Sequence, residues 1–317
     1  MSAASRPVRH FEMPSSLAGK LHAHRFLIAR RAAQVAVILL LFGTAHWGWK
    51  LAGQPLLAGN LSAAKLAGAI PLADPFAILE VLATGHSVAR EALLGAGVVL
   101  GIYFLLGGRV FCSWVCPMNV VTDAARWVRL RLAVRDVFAI PPGVRYAILA
   151  LSLVLSAIAG VAAFDWISPI AMLHREIVYG AGLGLTSALG VFLFDAFVLK
   201  HGWCGHLCPL GAFWSLVGRG AQVRVAFDDA SCTRCGDCLK VCPEPRVLNF
   251  NDAARHGFVK PGECTNCAAC IAVCPESSLR LALRAVVRPG HVSGTGFGDV
   301  SADTSPKPVP ARLPLSD

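Results

Sequence analysis

Every cysteine of the chain lies in one of four short motifs, and the spacing within these motifs is typical of metal–thiolate chemistry. Two of them, "CTRCGDCLKVCP" and "CTNCAACIAVCP", both read C-x2-C-x2-C-x3-C-P. In this pattern three closely spaced thiolates bind one [4Fe-4S] cube, and the fourth cysteine binds the neighbouring cube. The two runs therefore predict two cubes whose ligands interleave. The predicted ligands are Cys232, Cys235, Cys238 and Cys274 for cluster 1, and Cys264, Cys267, Cys270 and Cys242 for cluster 2.

Zinc is the main alternative occupant of these two motifs, because C-x2-C pairs also build structural zinc sites. The additional cysteines of each run and the proline that follows it favour clusters over zinc. Such clusters either carry electrons or act only as staples for a small domain without a large core. Electron transfer is the favoured interpretation, because the cysteine-rich region follows a long apolar region.

The other two motifs, "FCSWVCP" and "WCGHLCP", share the spacing C-x3-C-P and each follows an apolar segment. On a helix this spacing puts both sulfurs on nearly the same face, and the proline tends to end the helix. We expect the four thiols to converge on an additional metal or cluster at the membrane surface. A thiol/disulfide redox pair and buried cysteines that act as small apolar residues are the alternatives. The four cysteines are Cys112, Cys116, Cys204 and Cys208.

The elements that carry these motifs are expected to cross a membrane. The composition is 55% hydrophobic and only 15% charged, which is unusual for a soluble protein. Four stretches have the length and apolar character of a membrane span. They are residues 32–49, 92–108, 144–164 and 181–199.

The orientation of these spans follows from the flanking basic residues, which favour the cytoplasmic side. Arginine and lysine are frequent before span one and between spans two and three, and sparse in the other two loops. We therefore expect both termini in the cytoplasm. Because the basic residues cluster beside spans, topology and lipid headgroups explain the net charge of +10, and nucleic acid is not an expected partner. The first thirty residues lack a cleavable-signal pattern, so span one is expected to be retained.

An internal repeat is visible when the two C-x3-C-P segments are aligned without a gap. Each half reads as a span, a short outer helix that starts with Asp-Pro or Ser-Pro, a second span and a cysteine motif. The predicted fold is a mainly α membrane protein with two parallel two-helix repeats and a C-terminal two-cluster α+β domain. The predicted segments are a basic lead (1–31), a four-helix membrane domain (32–219), the two-cluster domain (220–287) and a disordered tail (288–317).

Three ionisable residues near the spans are candidates for accepting a proton or a hydrogen bond from a quinol. Asp195 lies inside span four, where an unpaired carboxylate is costly. Asp165 and His174 lie together in the outer loop before that span, and the pKa of a histidine suits deprotonation near neutrality. A structural hydrogen bond and ordinary solvation are the alternatives for these side chains. Nucleotide-binding motifs are not visible, so electrons are expected to enter from a membrane-soluble donor or a protein partner.

Together, "GRVFCSWVCPMNVVTD", "HGWCGHLCPLGAFW" and the tandem cluster motifs resemble the NapH/MauN family of membrane ferredoxin-type proteins. The resemblance covers about residues 20 to 285. It implies a bacterial plasma-membrane subunit that oxidises quinol from the quinone pool. The electrons would pass to a periplasmic iron–sulfur partner of the NapG type, and then towards a c-type cytochrome or the periplasmic nitrate reductase.

A second reading comes from related families, which include the membrane regulator NosR and the oxidase accessory protein CcoG. The latter is associated with copper reduction. It implies, as the alternative function, a membrane metal reductase or an assembly factor for a respiratory enzyme. The chain lacks the large periplasmic flavin-binding region expected of a NosR-like protein, which counts against that relative.

Overall fold

The computed structural model describes residues 8–51, 53–60, 62–180, 182–260 and 262–284. The predicted tail lies outside these residues. The chain begins with one long helix, α1 (Leu17–His46), whose first turn is capped by the hydroxyl of Ser16 accepting from the Gly19 N–H. The helix therefore starts well before the predicted span. Arg30 and Gln34 in the middle of this helix are buried, so this part of α1 packs against the rest of the chain.

The segment after α1 folds into small antiparallel sheets, which the sequence analysis did not predict. A two-stranded hairpin precedes a three-stranded sheet of order β3-β4-β5. These strands are only two to four residues long, too short for a periodic pattern to stand out. The strands are β1 (Lys50–Leu51), β2 (Gln54–Pro55), β3 (Leu57–Gly59), β4 (Ala63–Leu66) and β5 (Ile70–Ala73).

The helices that follow repeat the same order twice, as the sequence alignment predicted. In the first half, α2 starts at Pro75 with Asp74 as its N-cap, and in the second half α7 starts at Pro169 with Ser168 as its N-cap. Proline fits the first helical turn, since its missing N–H would have no intrahelical partner there. The helices are α2 (Pro75–Ala83), α3 (Arg90–Leu106), α4 (Met118–Leu132), α5 (Val144–Ala159), α6 (Ala163–Ile167), α7 (Pro169–Tyr179), α8 (Gly184–Leu193) and α9 (Pro209–Val217).

One helix of the described chain, α1, is both long enough and apolar enough to cross a membrane by length and composition. Helices α3, α5 and α8 cover the other three predicted spans, but each has 17 residues or fewer. A π-helical turn, Phe194–Val198, extends α8 towards its predicted end. All four expected segments are thus helical, and the count of four spans stays a prediction.

The C-terminal part is a small α+β unit, as predicted. Its antiparallel pair β6–β7 joins the two ends of the unit, with Val223 opposite Leu283 and Phe227 opposite Leu279. Three short helices lie between the two strands in the sequence. The elements are β6 (Val223–Phe227), α10 (Asp237–Val241), α11 (Phe250–His256), α12 (Ala269–Ala272) and β7 (Leu279–Leu283), with single 3-10 turns at Gly218–Gly220 and Pro245–Val247.

The helical part and the α+β unit meet through close backbone packing. A Cβ atom placed on Gly262 of the α+β unit would lie 2.4 Å from the carbonyl oxygen of Ser215, and one placed on Gly218 would lie 3.2 Å from the Gly262 Cα. Side chains add polar contacts across the same junction, since the Ser113 hydroxyl donates to the Thr265 carbonyl over 2.7 Å and the Trp114 indole donates to the Asn266 carbonyl. The first C-x3-C-P segment is therefore pressed directly against the cluster motifs.

Candidate functional site

Both C-x3-C-P segments form a single π-helical turn, Phe111–Val115 in one half and Trp203–Leu207 in the other. The Cys116 N–H donates to the Phe111 carbonyl, and the Cys208 N–H donates to the Trp203 carbonyl. The sequence analysis expected an ordinary helix here. The wider turn arises because the chain must leave the helix at the proline that follows each second cysteine, and such turns are frequent at functional sites.

The four thiols of these segments lie close together. Cys116 and Cys208 are both 5% exposed and belong to one core cluster, against which Cys112 packs. The pKa of the Cys204 thiol is raised first by burial and then by Cys208, Asp195, Cys116 and Cys112, which places Cys204 close to the three other thiols. We refer to Cys112, Cys116, Cys204 and Cys208 as the membrane tetrad.

Burial makes the membrane tetrad a poor dithiol redox pair. It raises the pKa of Cys208 to about 12, and it raises the pKa of Cys116 well above the usual thiol range, with Cys112 and Cys208 adding to the effect. A reactive thiol pair needs the opposite, a lowered pKa that supplies thiolate near neutrality. A bound metal deprotonates coordinating thiols by its own positive charge. The chemistry of the donor set therefore fits a metal or an iron–sulfur cluster.

A buried ionic network separates the membrane tetrad from the cluster motifs, and Arg109 lies at its centre. The guanidinium of Arg109 is 2% exposed and donates to the carbonyls of Glu263 (2.9 Å) and Cys204 (3.3 Å). It also lies 3.5 Å from a carboxylate oxygen of Glu244. Arg145 is fully buried and pairs with Glu263. The sequence analysis missed this role, because it assigned Arg109 only to the basic flank of a span.

The basic residues of α1 likewise make buried contacts, which fix the first cysteine segment. Arg30 donates to the Ser113 carbonyl over 3.1 Å and to the Asn119 side chain over 2.6 Å. The fully buried Gln34 donates to the same Ser113 carbonyl. Arg31 pairs with Asp123 on α4. These contacts hold the first C-x3-C-P segment against α1.

The remaining eight cysteines divide into two groups of four, each around one small cavity. One cavity is lined by the cysteines that the spacing assigned to cluster 1, and the other by those assigned to cluster 2. Each group includes one cysteine from the other sequence motif. The groups are Cys232, Cys235, Cys238 and Cys274 (the outer tetrad), and Cys242, Cys264, Cys267 and Cys270 (the inner tetrad).

The loops that carry these cysteines use matching left-handed residues. Arg234 and Gly236 have φ of 54° and 81° in the first motif, and Asn266 and Ala268 have φ of 48° and 59° in the second. Non-glycine residues in this region cost energy and persist where the surroundings determine the backbone. Both loops therefore curl in the same way around their cavities, as expected for chain wrapped around a compact inorganic cube.

Within the described residues, no group of three or more His, Cys, Asp or Glu side chains has the arrangement that a single metal ion needs. A four-iron cube spreads its ligand sulfurs around a larger body than one ion does. The eight cysteines of the outer and inner tetrads include buried and half-buried thiols, and all are free of disulfide bonds. Their number, type and grouping fit two [4Fe-4S] clusters.

The three candidate quinol residues are not all brought together. Asp165 and His174 line one apolar cavity, whereas Asp195 lies apart from it, in the π-helical turn before the second C-x3-C-P segment. One carboxylate oxygen of Asp195 accepts from the Trp203 N–H over 2.9 Å, and the other has no partner among the described residues. Asp195 therefore anchors the second cysteine turn, which supports the structural alternative for this residue.

Comparison with protein families agrees with this division of the chain. A family model described as a 4Fe-4S binding domain matches twice, over residues 90–135 and 181–225, and so covers both C-x3-C-P segments. A second model, described as a 4Fe-4S dicluster domain, matches residues 224–275. The double match supports the internal repeat, and the two models together support iron–sulfur clusters as the cofactors. No solved structure matches this chain.

Three curated relatives are similar over most of their length. The ferredoxin-type protein NapH of Escherichia coli (strain K12) is 43% identical over 73% of this chain and 79% of its own length. NapH of Haemophilus influenzae is 41% identical over 73% of this chain and 79% of its own length. The methylamine utilization ferredoxin-type protein MauN of Methylobacillus flagellatus is 41% identical over 72% of this chain and 79% of its own length. With three cysteine tetrads, a repeated 4Fe-4S match and relatives of this similarity, the chain belongs to the NapH/MauN family of ferredoxin-type proteins.

Proposed function

We propose that this chain is a membrane subunit that takes electrons from a quinol and passes them through iron–sulfur clusters to a periplasmic partner of the NapG type. The observation that carries the proposal is the grouping of all twelve cysteines into three tetrads that follow one another from the apolar helices into the α+β unit. The membrane tetrad would hold a third cluster, with the inner and outer tetrads holding the two predicted cubes.

The protein groups around the tetrads favour electron transfer in two ways. When bound, iron–sulfur clusters supply one-electron steps. Arg109 brings a buried positive charge beside Cys112 and Cys204, and the excess negative charge of thiolate-bound clusters needs such a counter-charge in a medium of low dielectric constant. The first cysteine segment also contacts the inner-tetrad loop directly, because the Ser113 hydroxyl donates to the Thr265 carbonyl over 2.7 Å.

The exposed apolar surface of the helices supports a membrane location, as the sequence does. Large apolar side chains of the predicted spans point outward, for example Leu94 on α3 (65% exposed), Ile158 on α5 (79%) and Leu185 on α8 (69%). Exposed aliphatic surface of this kind suits lipid rather than water. We propose four spans in the bacterial plasma membrane with both termini in the cytoplasm, and downstream transfer towards a c-type cytochrome or nitrate reductase.

The experiment is reduction of the clusters by a quinol. The full chain, purified without oxygen and reconstituted in lipid, is mixed with decylubiquinol, and the clusters are followed by electron paramagnetic resonance. Replacing Cys112 or Cys204 by serine should slow the reduction while the signals of the two ferredoxin clusters survive. Ser187→Ala on α8, away from the tetrads, is the control and should behave as wild type.

Two outcomes would count against the proposal. Clusters that dithionite reduces but quinol never does would remove the quinol step. Stoichiometric Cu(I) binding that disappears with the membrane tetrad, in a protein that quinol does not reduce, would favour the metal reductase instead.

A further inference from the structure

An apolar cavity of about 310 Å³ lies between the helices α2 and α7 on one side and the membrane tetrad on the other. Its outer end is formed by the β3-β4-β5 sheet and by α2 and α7. Its inner end is formed by Phe111, Val115, Leu210 and Trp214, and Phe111 and Val115 immediately precede Cys112 and Cys116 in the chain. The volume is within the range of small-molecule sites.

Four titratable groups face the outer end of this cavity, and two of them already have full sets of partners. Glu80 is fully buried and accepts from Ser156, from the Phe164 N–H (2.9 Å) and from the Asp165 N–H (3.2 Å). Asp165 accepts from the Ser62 hydroxyl (2.9 Å) and pairs with Arg175 (2.6 Å). These two carboxylates are therefore structural.

The other two titratable groups are His174 and Asp74. His174 is 3% exposed, and its Nε2 has no hydrogen-bond partner among the described residues. A buried polar nitrogen without a partner costs free energy, and a ligand that donates to it would recover that cost. Asp74 caps α2 through Phe76 and is half-buried at the cavity wall.

Aromatic side chains line the way from the cavity to the membrane tetrad. The ring centroids of Tyr103 and Trp214 are 4.8 Å apart, and those of Phe111 and Trp214 are 5.9 Å apart. Phe111 immediately precedes Cys112. A ring bound in the cavity would thus lie against the same packed aromatic group that contacts the cysteine segment.

We propose that this cavity binds the ring of a membrane quinol, with the Nε2 of His174 accepting a hydrogen bond from a quinol hydroxyl. The inference rests on the proposed function and assigns its substrate site. Oxidation of a quinol to a quinone releases two electrons and two protons. A one-electron iron–sulfur centre held by Cys112, Cys116, Cys204 and Cys208 would accept the electrons singly, and the half-buried Asp74 would accept the two protons one at a time and pass each to water.

The electrostatics of the two residues suit these roles. Burial lowers the pKa of His174 to about 4, so the ring is neutral near pH 7 and can accept a hydrogen bond. Burial, together with the charges of Asp165 and Glu80, raises the pKa of Asp74 to about 7, where a carboxylate can both take and release a proton.

The test measures binding of decylubiquinol to the dithionite-reduced full chain by equilibrium dialysis, where no oxidised centre is left to turn the quinol over. His174→Gln should raise the dissociation constant about tenfold, because the hydrogen-bond acceptor is displaced. Ala171→Phe, which fills the cavity wall, should abolish binding. His86→Gln, at an exposed outer histidine away from the cavity, is the matched control and should bind as wild type. Unchanged iron content and unchanged dithionite-reduced spectra establish that each variant is folded.

Wild-type affinity in both His174→Gln and Ala171→Phe would overturn the inference. Loss of binding in Asp195→Asn with full binding in these two variants would also overturn it. The two proposals fail separately: if decylubiquinol reduces the clusters of wild type and of both cavity variants equally, the site is wrong while quinol oxidation stands. If quinol does not reduce the wild type, the proposed function is wrong.

Discussion

Arg109 is the residue whose structural role differs most from what its sequence position indicates. A lone arginine after an apolar segment is explained by membrane topology. In the folded chain it is buried between Glu244, Glu263 and the cysteine segments. Burying an arginine needs partners on every side, and those partners come from residues more than 90 positions away. Sequence reasoning could predict the cysteines from spacing, but it could not predict long-range charge pairs.

Removing the Arg109 charge should destabilise the chain strongly. Arg109→Gln removes one of the three arginines that pair with the buried Glu244, leaving Arg145 and Arg246, and breaking a buried pair of this kind costs up to about 3–5 kcal/mol. Adding Glu244→Gln should recover part of the loss. Thermal unfolding followed by cluster absorbance measures both. Lys65→Gln, in an exposed ion pair with Glu91, should cost less than about 1 kcal/mol. Equal effects of Arg109→Gln and Lys65→Gln would contradict the network.

Asp74 should make the stability of the protein depend on pH. Burial and the nearby charges of Asp165 and Glu80 raise its pKa from 3.8 to about 7, and Tyr103 and His174 are further ionisable groups that line the same cavity. Between pH 4 and 7 the folded chain keeps a proton that the unfolded chain has lost, so stability falls as pH rises through this window.

Asp74→Asn removes this penalty and keeps the helix cap, because asparagine caps as well as aspartate. The melting temperature of the variant should exceed that of wild type by several degrees at pH 8 and by clearly less at pH 5.5. Thermal unfolding at the two pH values measures the difference. A difference that is the same at both pH values, or that has the opposite sign, would contradict the assignment.

At the scale of elements, the glycines at the junction position the cysteine motifs. Gly108 and Gly218 let α3 and α9 end against each other, and Gly262 (φ +82°) approaches the Ser215 carbonyl from the α+β unit. The sequence shows these only as glycines after apolar segments. Their role depends on a close approach between segments that are distant in the chain, and no local pattern encodes such an approach.

Gly108→Ala should loosen this junction. The new Cβ would collide with the backbone at Trp214, which cannot move as a flexible side chain can, and a cost of about 1–3 kcal/mol is expected. Gly97→Ala in α3 is the matched control, because its Cβ would meet nothing within 4 Å, and it should be neutral or stabilising by up to about 1 kcal/mol. Thermal unfolding should show a lower melting temperature for Gly108→Ala only. Equal melting temperatures in both variants would show that the contact is unimportant.

The repeated order of helices was predictable because short sequence motifs mark where each helix starts or ends. Asp-Pro and Ser-Pro mark helix starts, and the proline after each C-x3-C pair marks a helix end. The π-helical turns and the small β3-β4-β5 sheet were not predictable in the same way. A π turn looks like a helix in its sequence period, and strands of three or four residues carry too few positions to alternate visibly.

At the scale of the whole molecule, the proposed topology makes a prediction about sidedness. Alkaline-phosphatase fusions after residue 284 and after Gly143 should be inactive, since both points are expected in the cytoplasm. A fusion after Gly85, which precedes α3, should be active. Reporter activity at the C-terminus would place the clusters in the periplasm and would contradict the orientation derived from the basic flanks.

The route of electrons through the molecule depends on all three cysteine tetrads, and their metal content is the most direct measure of the account. The measurement is iron and zinc quantification, combined with electron paramagnetic resonance after dithionite reduction, on the full chain isolated without oxygen. The account predicts about twelve irons per chain, about eight of them in the ferredoxin-type unit, with signals of reduced [4Fe-4S] clusters. Zinc in the tetrads, or a chain without iron, would contradict it.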